Sequence, residues 1–241
     1  MRLVNGKPVL ETLSELVDPV RAGLVVVDAQ NDYVSPGGML DRLGYDISMM
    51  TTMVQTIARL TDTAHRANVP VFYVQDTRLP GNRSESAPFL RFITLKCGLD
   101  ADVTVEGSWG WEIADQIAPQ AGDVVVRKYR EGAFTGTPLD LLLRSHGVET
   151  VVMTGDVTQG CLESSARQAL LHDYYVVVVR DAVASHRAEL HAASLTIMEA
   201  KFDVVTCQEV CAQWDVAVRT PVSTSELGPT AAPTAVTPHT P

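Results

Sequence analysis

The sequence predicts an α/β protein, a three-layer, doubly wound (Rossmann-like) domain whose mostly parallel six-stranded sheet has helices on both faces. Short runs rich in Val, Ile and Tyr recur between longer amphipathic segments, as expected for buried parallel strands joined by crossover helices. The 241 residues are enough to bury one full core. In addition, reactive side chains directly follow several of the apolar runs, where the sites of such folds lie.

The elements alternate regularly along the chain. Strands are predicted over residues 23–27, 70–75, 123–127, 149–153, 175–180 and 203–206. Helices are predicted between them, over residues 47–67, 111–117, 138–146, 161–172, 188–201 and 208–216. Thr137 and Pro138 favour the helix start at that point, because threonine caps a helix well and proline fits its first position.

Three segments are predicted from the change in composition along the chain. Residues 1–19 have a weak amphipathic pattern and are expected to pack on the domain or on a neighbouring subunit. Residues 20–218 form the α/β domain. Residues 219–241 alternate Thr, Pro, Ala and Ser without apolar periodicity, which is typical of a flexible tail.

Charge and hydropathy exclude several classes of partner. The formal net charge of -10, without any run of Lys or Arg, disfavours nucleic acid. No segment reaches the ~18 apolar residues of a membrane span, and the charged N-terminus does not resemble a signal peptide, so we expect a cytoplasmic protein. Reduced thiols are therefore expected at all four cysteines, Cys97, Cys161, Cys207 and Cys211. We expect a structural role for the last two, because no further metal ligands stand at suitable spacing.

Three reactive residues follow predicted strands. Asp28 directly follows the first strand, Lys128 directly follows the third, and Cys161 follows the fourth strand after a short turn, at the predicted start of a helix. All three should therefore meet at one edge of the sheet. The helix dipole would lower the pKa of the Cys161 thiol from its usual ~8.5. Asp28 would act as the base, and Lys128 would stabilise both the thiolate and the ionised Asp28.

The segments around these residues resemble the isochorismatase-like cysteine hydrolase family. The resemblance rests on residues 24–32 around Asp28, on Lys128 with the following residues 132–139, and on residues 154–161. It implies an Asp28–Lys128–Cys161 triad that forms a thioester-type intermediate on small amides and needs no metal or other cofactor. It also implies a cis bond between Asp156 and Val157, an oxyanion hole made by the N–H groups of Val157 and Cys161, and a homodimer or homotetramer.

Further motifs narrow the resemblance. Residues 37–46, 107–109, 119–123 and 137–145 are similar to the ureidoacrylate, biuret and N-carbamoylsarcosine amidohydrolases. Residues 75–82 contain no histidine, which argues against a metal-dependent nicotinamidase. The resemblance therefore implies hydrolysis of a small linear carbamoyl or ureido amide. The alternatives are an aromatic, heterocyclic or maleamate-type amide, or a redox-sensing protein without catalytic activity.

Substrate contacts are expected from the same strand ends. We expect Arg78 to pair with a substrate carboxylate, because a guanidinium binds a carboxylate in a bidentate manner. Relatives usually carry an apolar residue in place of Asp156, so this carboxyl group either binds the amine end of the substrate or orders its loop. The complete set of expected substrate-binding residues is Asn31, Tyr33, Arg78, Trp109 (or Trp111), Phe134 and Asp156.

Overall fold

The computed structural model describes residues 1–219, so the tail predicted over residues 219–241 lies outside the described residues from residue 220 onward. The chain begins with an antiparallel hairpin of β1 (Arg2–Val4) and β2 (Lys7–Val9). A single helical turn follows as α1 (Leu13–Leu16), which starts with a capping box. The weak amphipathic pattern of this segment did not predict the hairpin.

The main sheet has six strands, and all of its neighbouring pairs are parallel. The strands are β3 (Ala22–Val27), β4 (Val71–Asp76), β5 (Val124–Lys128), β6 (Thr150–Asp156), β7 (Tyr175–Ala184) and β8 (Asp203–Val205). Their order is β5-β4-β3-β6-β7-β8, which confirms the doubly wound fold predicted from the sequence. The largest differences are at β6 and β7, which both extend beyond their predicted ends.

Helices cover both faces of the sheet. The longer ones are α4 (Ser48–Arg66), α6 (Leu139–Ser145), α7 (Glu163–Leu171), α8 (Ala188–Glu199) and α9 (Cys207–Arg219), and the short ones are α2 (Asn31–Val34), α3 (Met39–Arg42) and α5 (Ala87–Arg91). Two apolar clusters of buried residues result, one on each face of the sheet. In the described part of the chain, no helix combines the length and apolar character that a membrane crossing requires.

Helix starts differ from the prediction at several points. The segment predicted as a helix over residues 111–117 forms two separate 3₁₀ turns, Trp109–Trp111 and Asp115–Ile117. Pro138 occupies the cap position of α6, one residue later than Thr137, although the Thr137 hydroxyl still accepts from the Leu139 N–H at 3.3 Å while it donates to the Ala133 carbonyl. The helix predicted to begin at residue 161 begins two residues later, after an irregular turn over Thr158–Leu162.

The topology places a crevice at the middle of the sheet. β3 pairs with β4 on one side and with β6 on the other, so successive strands are added in opposite directions from this point. All residues of β3 and β6 are buried, as expected for central parallel strands. The carboxyl ends of these two strands therefore flank the position where a ligand site is expected.

Candidate active site

The three reactive residues predicted to meet at the sheet edge do so. The Nζ atom of Lys128 lies 2.8 Å from Oδ2 of Asp28 and 3.3 Å from Sγ of Cys161. Lys128 and Asp28 are almost completely buried, whereas Cys161 keeps a partly exposed surface. A carboxylate, an ammonium and a thiol are thus in mutual contact at the end of the parallel sheet.

The order of the strands explains why the residue that contacts both Asp28 and Cys161 is a lysine. Lys128 ends β5, which is separated from β3 by β4. Because adjacent strands are ~4.8 Å apart, the side chain must cross roughly 10 Å to reach Asp28. The four-carbon stem of lysine suits this distance, and the apolar stem is buried along the way. Its ammonium group also donates to the carbonyl of Arg130 at 3.1 Å.

A second buried carboxylate, Asp76, belongs to the same cluster. It ends β4, and its Oδ1 lies 3.5 Å from Nζ of Lys128. Its Oδ2 accepts hydrogen bonds from the hydroxyl groups of Tyr33 at 2.7 Å and Thr104 at 3.1 Å, and it lies 3.4 Å from the Arg78 guanidinium. The sequence analysis did not assign Asp76 to the site. The rule that identified Asp28 and Lys128, a polar residue at the end of an apolar strand, would also have identified it.

The two carboxylates differ in their protonation. Burial raises the pKa of Asp28 to about 6, and Lys128 opposes this effect only in part. Burial would also raise the pKa of Asp76, but Lys128, Arg78 and the two hydroxyl donors outweigh it and hold this pKa below its usual value. Burial works against the charged form of Lys128 as well, yet the neighbouring carboxylates raise its pKa well above the usual value. These shifts favour the charged forms of Asp76 and Lys128, whereas the pKa of Asp28 is raised to about 6.

The electrostatic environment of Cys161 differs from the prediction. Cys161 lies in the turn before α7 rather than at the first position of the helix. Burial raises the pKa of its thiol well above the usual value, and Lys128 offsets only part of this effect. The direction of this shift is opposite to the lowering expected from a helix dipole. The Asp28 carboxyl group is within hydrogen-bonding reach of this thiol.

The loop before Cys161 carries the other predicted features of the site. The peptide bond between Asp156 and Val157 is cis. Val157 lines the cavity, and its N–H donates no hydrogen bond within residues 1–219. Asp156 is also buried at the cavity, and burial together with the negative charge of Asp28 raises its pKa well above the usual value. Its Oδ2 has no hydrogen-bond partner among the described residues.

A cavity of about 220 Å³ opens beside the three reactive groups. Its apolar walls come mainly from residues 87–99, together with side chains from α3 and α8; these walls comprise Leu40, Phe89, Phe92, Ile93, Leu99 and Leu190. Its polar and charged lining, which the sequence analysis largely missed, includes Lys96, Cys97, Glu131, Gln159, His186 and Arg187. Lys96 and Cys97 belong to the long connection after β4, which no strand end indicates. The other four lie two or three residues beyond the ends of β5, β6 and β7, so the strand-end rule indicates them once the ends of these strands are known. Of the residues predicted from the sequence, Asp28, Tyr33, Arg78, Lys128, Asp156, Val157 and Cys161 line this cavity.

Three predicted substrate-binding residues do not line the cavity. Asn31 donates through Nδ2 to the carbonyl of Trp109 at 3.0 Å and thereby ties two loops together. The Trp109 side chain is half exposed, with 50% of its surface accessible. Phe134 packs in the core against the rings of His172 and Tyr174. Asn31 is thus hydrogen-bonded within the protein, and Phe134 packs in the core. Trp111, the alternative to Trp109, donates through its indole N–H to the hydroxyl of Thr77 and is also absent from the cavity lining.

The fold is a doubly wound α/β domain, and its reactive side chains meet at the carboxyl edge of the sheet, where enzymes of this class have their active sites. The Isochorismatase domain matches residues 22–210, which is most of the chain. The protein therefore belongs to the isochorismatase family and is an isochorismatase-like hydrolase.

Known proteins of this family support the assignment. The ureidoacrylate amidohydrolase RutB of Methylobacterium radiotolerans is 35% identical over 202 residues, which cover 79% of this chain and 78% of that protein. A crystal structure of a cysteine hydrolase from Pseudomonas syringae pv. phaseolicola superimposes with a TM-score of 0.74 at 26% identity, over 88% of this chain and 99% of that one. The N-carbamoylsarcosine amidase of Thermoplasma acidophilum superimposes with a TM-score of 0.62 at 28% identity, over 78% of this chain and 96% of that one.

Proposed function

We propose that this protein is a cysteine amidohydrolase that cleaves the C–N bond of a small linear carbamoyl or ureido compound. The observation that carries the proposal is the contact of the Lys128 ammonium with both the Asp28 carboxylate and the Cys161 sulfur at the wall of a cavity. Amide hydrolysis through a covalent intermediate needs a nucleophile, a base and a stabilised oxyanion, and each of these has a candidate at this cavity.

Acylation begins from the neutral thiol. Cys161 Sγ attacks the carbonyl carbon while its proton moves to the ionised Asp28, so the thiolate forms only as the new C–S bond is made. The N–H groups of Val157 and Cys161 stabilise the tetrahedral oxyanion. Asp28 then returns the proton to the leaving nitrogen, and the C–N bond breaks to release ammonia. The product of this half-reaction is a thioester-type carbamoyl enzyme.

Deacylation uses the same groups. Asp28 takes a proton from water as its oxygen attacks the carbonyl carbon, and the proton then passes to Sγ of Cys161 as the C–S bond breaks. From a ureido substrate the released acid is a carbamate, which decomposes to an amine and carbon dioxide. Lys128 remains protonated throughout and compensates the negative charge that passes between the sulfur and Asp28.

Two observations favour a linear substrate that carries a carboxylate. The cavity of about 220 Å³ matches a small molecule, and Arg78 at its wall has an Nε without a hydrogen-bond partner in the described residues. Among known proteins, a ureidoacrylate amidohydrolase and an N-carbamoylsarcosine amidase are similar to this chain. The second candidate is an aromatic or heterocyclic amide, which the Phe89 and Phe92 rings in the cavity wall favour.

The test is ammonia release from a panel of ureidoacrylate analogues, biuret, N-carbamoyl amino acids, maleamate and nicotinamide, with and without a chelator. Cys161→Ala should abolish turnover of the active compound. Cys97→Ala is the matched control, because Cys97 lines the same cavity and should be dispensable. Chelator-insensitive turnover of a ureido compound, with a carbamoyl adduct on Cys161 in the mass spectrum, would support the proposal. Full activity of Cys161→Ala would refute the mechanism, and turnover of nicotinamide alone would favour the second candidate.

A further inference from the structure

The Asp156 carboxyl group is a buried polar group that the mechanism above does not use. It lines the cavity, is 1% exposed, and has an Oδ2 without a hydrogen-bond partner in the part of the chain that the structure describes. A buried carboxyl oxygen without a partner costs free energy, which a ligand can recover by binding there. Asp156 also directly precedes Val157, whose N–H is assigned to the oxyanion hole. Its side chain therefore lies beside the position of the reacting carbonyl.

The local charges favour the protonated form of Asp156. Val27 pairs with Gly155 across β3 and β6, so Asp28 and Asp156 extend side by side from adjacent strand ends. The single positive charge of Lys128 is already shared between Asp28 and Asp76. Burial and the negative charge of Asp28 raise the pKa of Asp156 well above its usual value. A protonated carboxyl group presents one O–H donor and one C=O acceptor side by side.

On the basis of the function proposed above, we propose that Asp156 determines specificity by pairing with the ureido group of the substrate. Its O–H donates to the scissile carbonyl oxygen, and its carbonyl oxygen accepts from the N–H of the nitrogen that stays in the product. A ureido compound, R–NH–CO–NH₂, offers this N–H on the same edge as the carbonyl oxygen in the conformer that holds the two syn to each other, which is the conformer this pairing selects. A simple amide, R–CH₂–CO–NH₂, has a methylene in its place and leaves the Asp156 acceptor unpaired. Asp156 thus selects ureido compounds over simple amides.

Two substrates that differ only at this position test the assignment. N-carbamoylglycine and succinamate both carry a carboxylate and a terminal CO–NH₂ group. They differ only in the group next to the scissile carbonyl, which is N–H in N-carbamoylglycine and CH₂ in succinamate. Asp156→Asn keeps one donor and one acceptor at nearly the same size, whereas Asp156→Leu keeps the size alone. The kcat/KM of both substrates would be measured for the wild type and both variants, and thermal unfolding would confirm that the variants fold.

We expect Asp156→Leu to lower kcat/KM for N-carbamoylglycine roughly 10- to 100-fold more than for succinamate, because one paired hydrogen bond is lost. Asp156→Asn should stay within about 5-fold of the wild type for both substrates, since the amide replaces the donor and the acceptor. Equal losses on the two substrates, or an Asn variant as impaired as the Leu variant, would overturn the assignment. Wild-type turnover of succinamate alone would overturn it and leave the cysteine amidase intact. Turnover of neither substrate, together with silence across the amide panel, would instead refute the proposed function.

Discussion

The ammonium of Lys128 lies 2.8 Å from the Asp28 carboxylate, and both side chains are almost completely buried. An ion pair removed from water retains its stability only while both charges are present, because each pays a desolvation cost that the other offsets. The same ammonium contacts Asp76 and Cys161. One cation therefore sets the electrostatic state of the nucleophile, the base and a supporting carboxylate.

Lys128→Met should remove both activity and stability. The variant leaves two buried carboxylates without their shared cation, and breaking a buried pair costs about 3–5 kcal/mol of unfolding free energy. The pKa of Asp28 should rise further, because Lys128 is the group that lowers it most. We expect kcat/KM to fall at least about 100-fold, as when the electrostatic stabilisation of a transition state is removed. Denaturant unfolding and ammonia release measure the two effects.

The matched control for this variant is Arg66→Met. Arg66 forms a surface ion pair with Asp215 at 3.1 Å, with both side chains substantially exposed. Exposed pairs contribute about 0–1 kcal/mol, so this variant should resemble the wild type in both assays. Equal destabilisation of the two variants would show that burial does not determine the contribution of Lys128.

The pH profile should report the titration of Asp28. Only the ionised carboxylate can accept the Cys161 proton, and the pKa of Asp28 is raised to about 6. Below this pH the protonated fraction increases, so kcat/KM should fall about tenfold per pH unit on the acid side and level off above it. A profile that remains flat from pH 5 to pH 8 would show that Asp28 is not the base.

Asp76→Asn should move this acid limb without abolishing the reaction. The negative charge of Asp76 is one of the causes that raise the pKa of Asp28, so its removal lowers that pKa and shifts the limb to lower pH. The plateau rate should fall roughly tenfold, because Lys128 loses one of its two anionic anchors. Asp28→Asn is the comparison, and it should abolish turnover at every pH. A limb that shifts upward in Asp76→Asn would contradict the assigned electrostatics.

Whether a residue of the site can be predicted from the sequence depends on where it stands relative to the end of a strand. Asp28 and Lys128 stand directly at the ends of apolar strands, so their meeting follows from the parallel topology alone. Asp76 directly follows the strand predicted over residues 70–75, so the same rule applies to it. Asn31 and Phe134 also follow strands, yet their side chains turn to a neighbouring loop and to the core.

The cavity wall and the state of Cys161 could not be obtained from local patterns. Phe89 and Phe92 reach the site from a long connection after β4, whose path depends on packing across the whole sheet edge. The pKa of Cys161 depends on how deeply the surrounding protein buries it, whereas the sequence indicated only an adjacent helix. Contacts between distant segments determine both properties.

Gly155→Ala should destabilise the protein strongly. Gly155 has φ of +110°, and a Cβ at this position would lie 1.9 Å from the carbonyl oxygen of Val27, a backbone atom of the adjacent strand. The strands would have to separate directly below Asp28 and Asp156. We expect a loss of about 3 kcal/mol or more in unfolding free energy and a parallel loss of activity. Gly147→Ala is the control, with φ of +70° but no atom within 4 Å of the added Cβ, and it should cost only about 1 kcal/mol. Similar losses for both would mean that backbone conformation, and not the close approach of the strands, determines the need for glycine at residue 155.

Arg78→Lys should weaken binding of substrates that carry a carboxylate. The Arg78 NH1 group already donates to the Val103 carbonyl and the Thr104 hydroxyl, while its Nε has no partner within residues 1–219. Lysine keeps the positive charge beside Asp76 but loses the planar fork that binds a carboxylate in a bidentate manner. We expect KM to rise about tenfold for N-carbamoylglycine and to change little for propylurea, which has no carboxylate. Lys96→Met is the control, because it removes a positive charge from the same cavity and keeps Arg78. It shows how much of the change in KM is due to general attraction by positive charge. An equal rise in KM for both substrates in Arg78→Lys would indicate that Arg78 supports the cavity through Asp76 and does not bind the substrate.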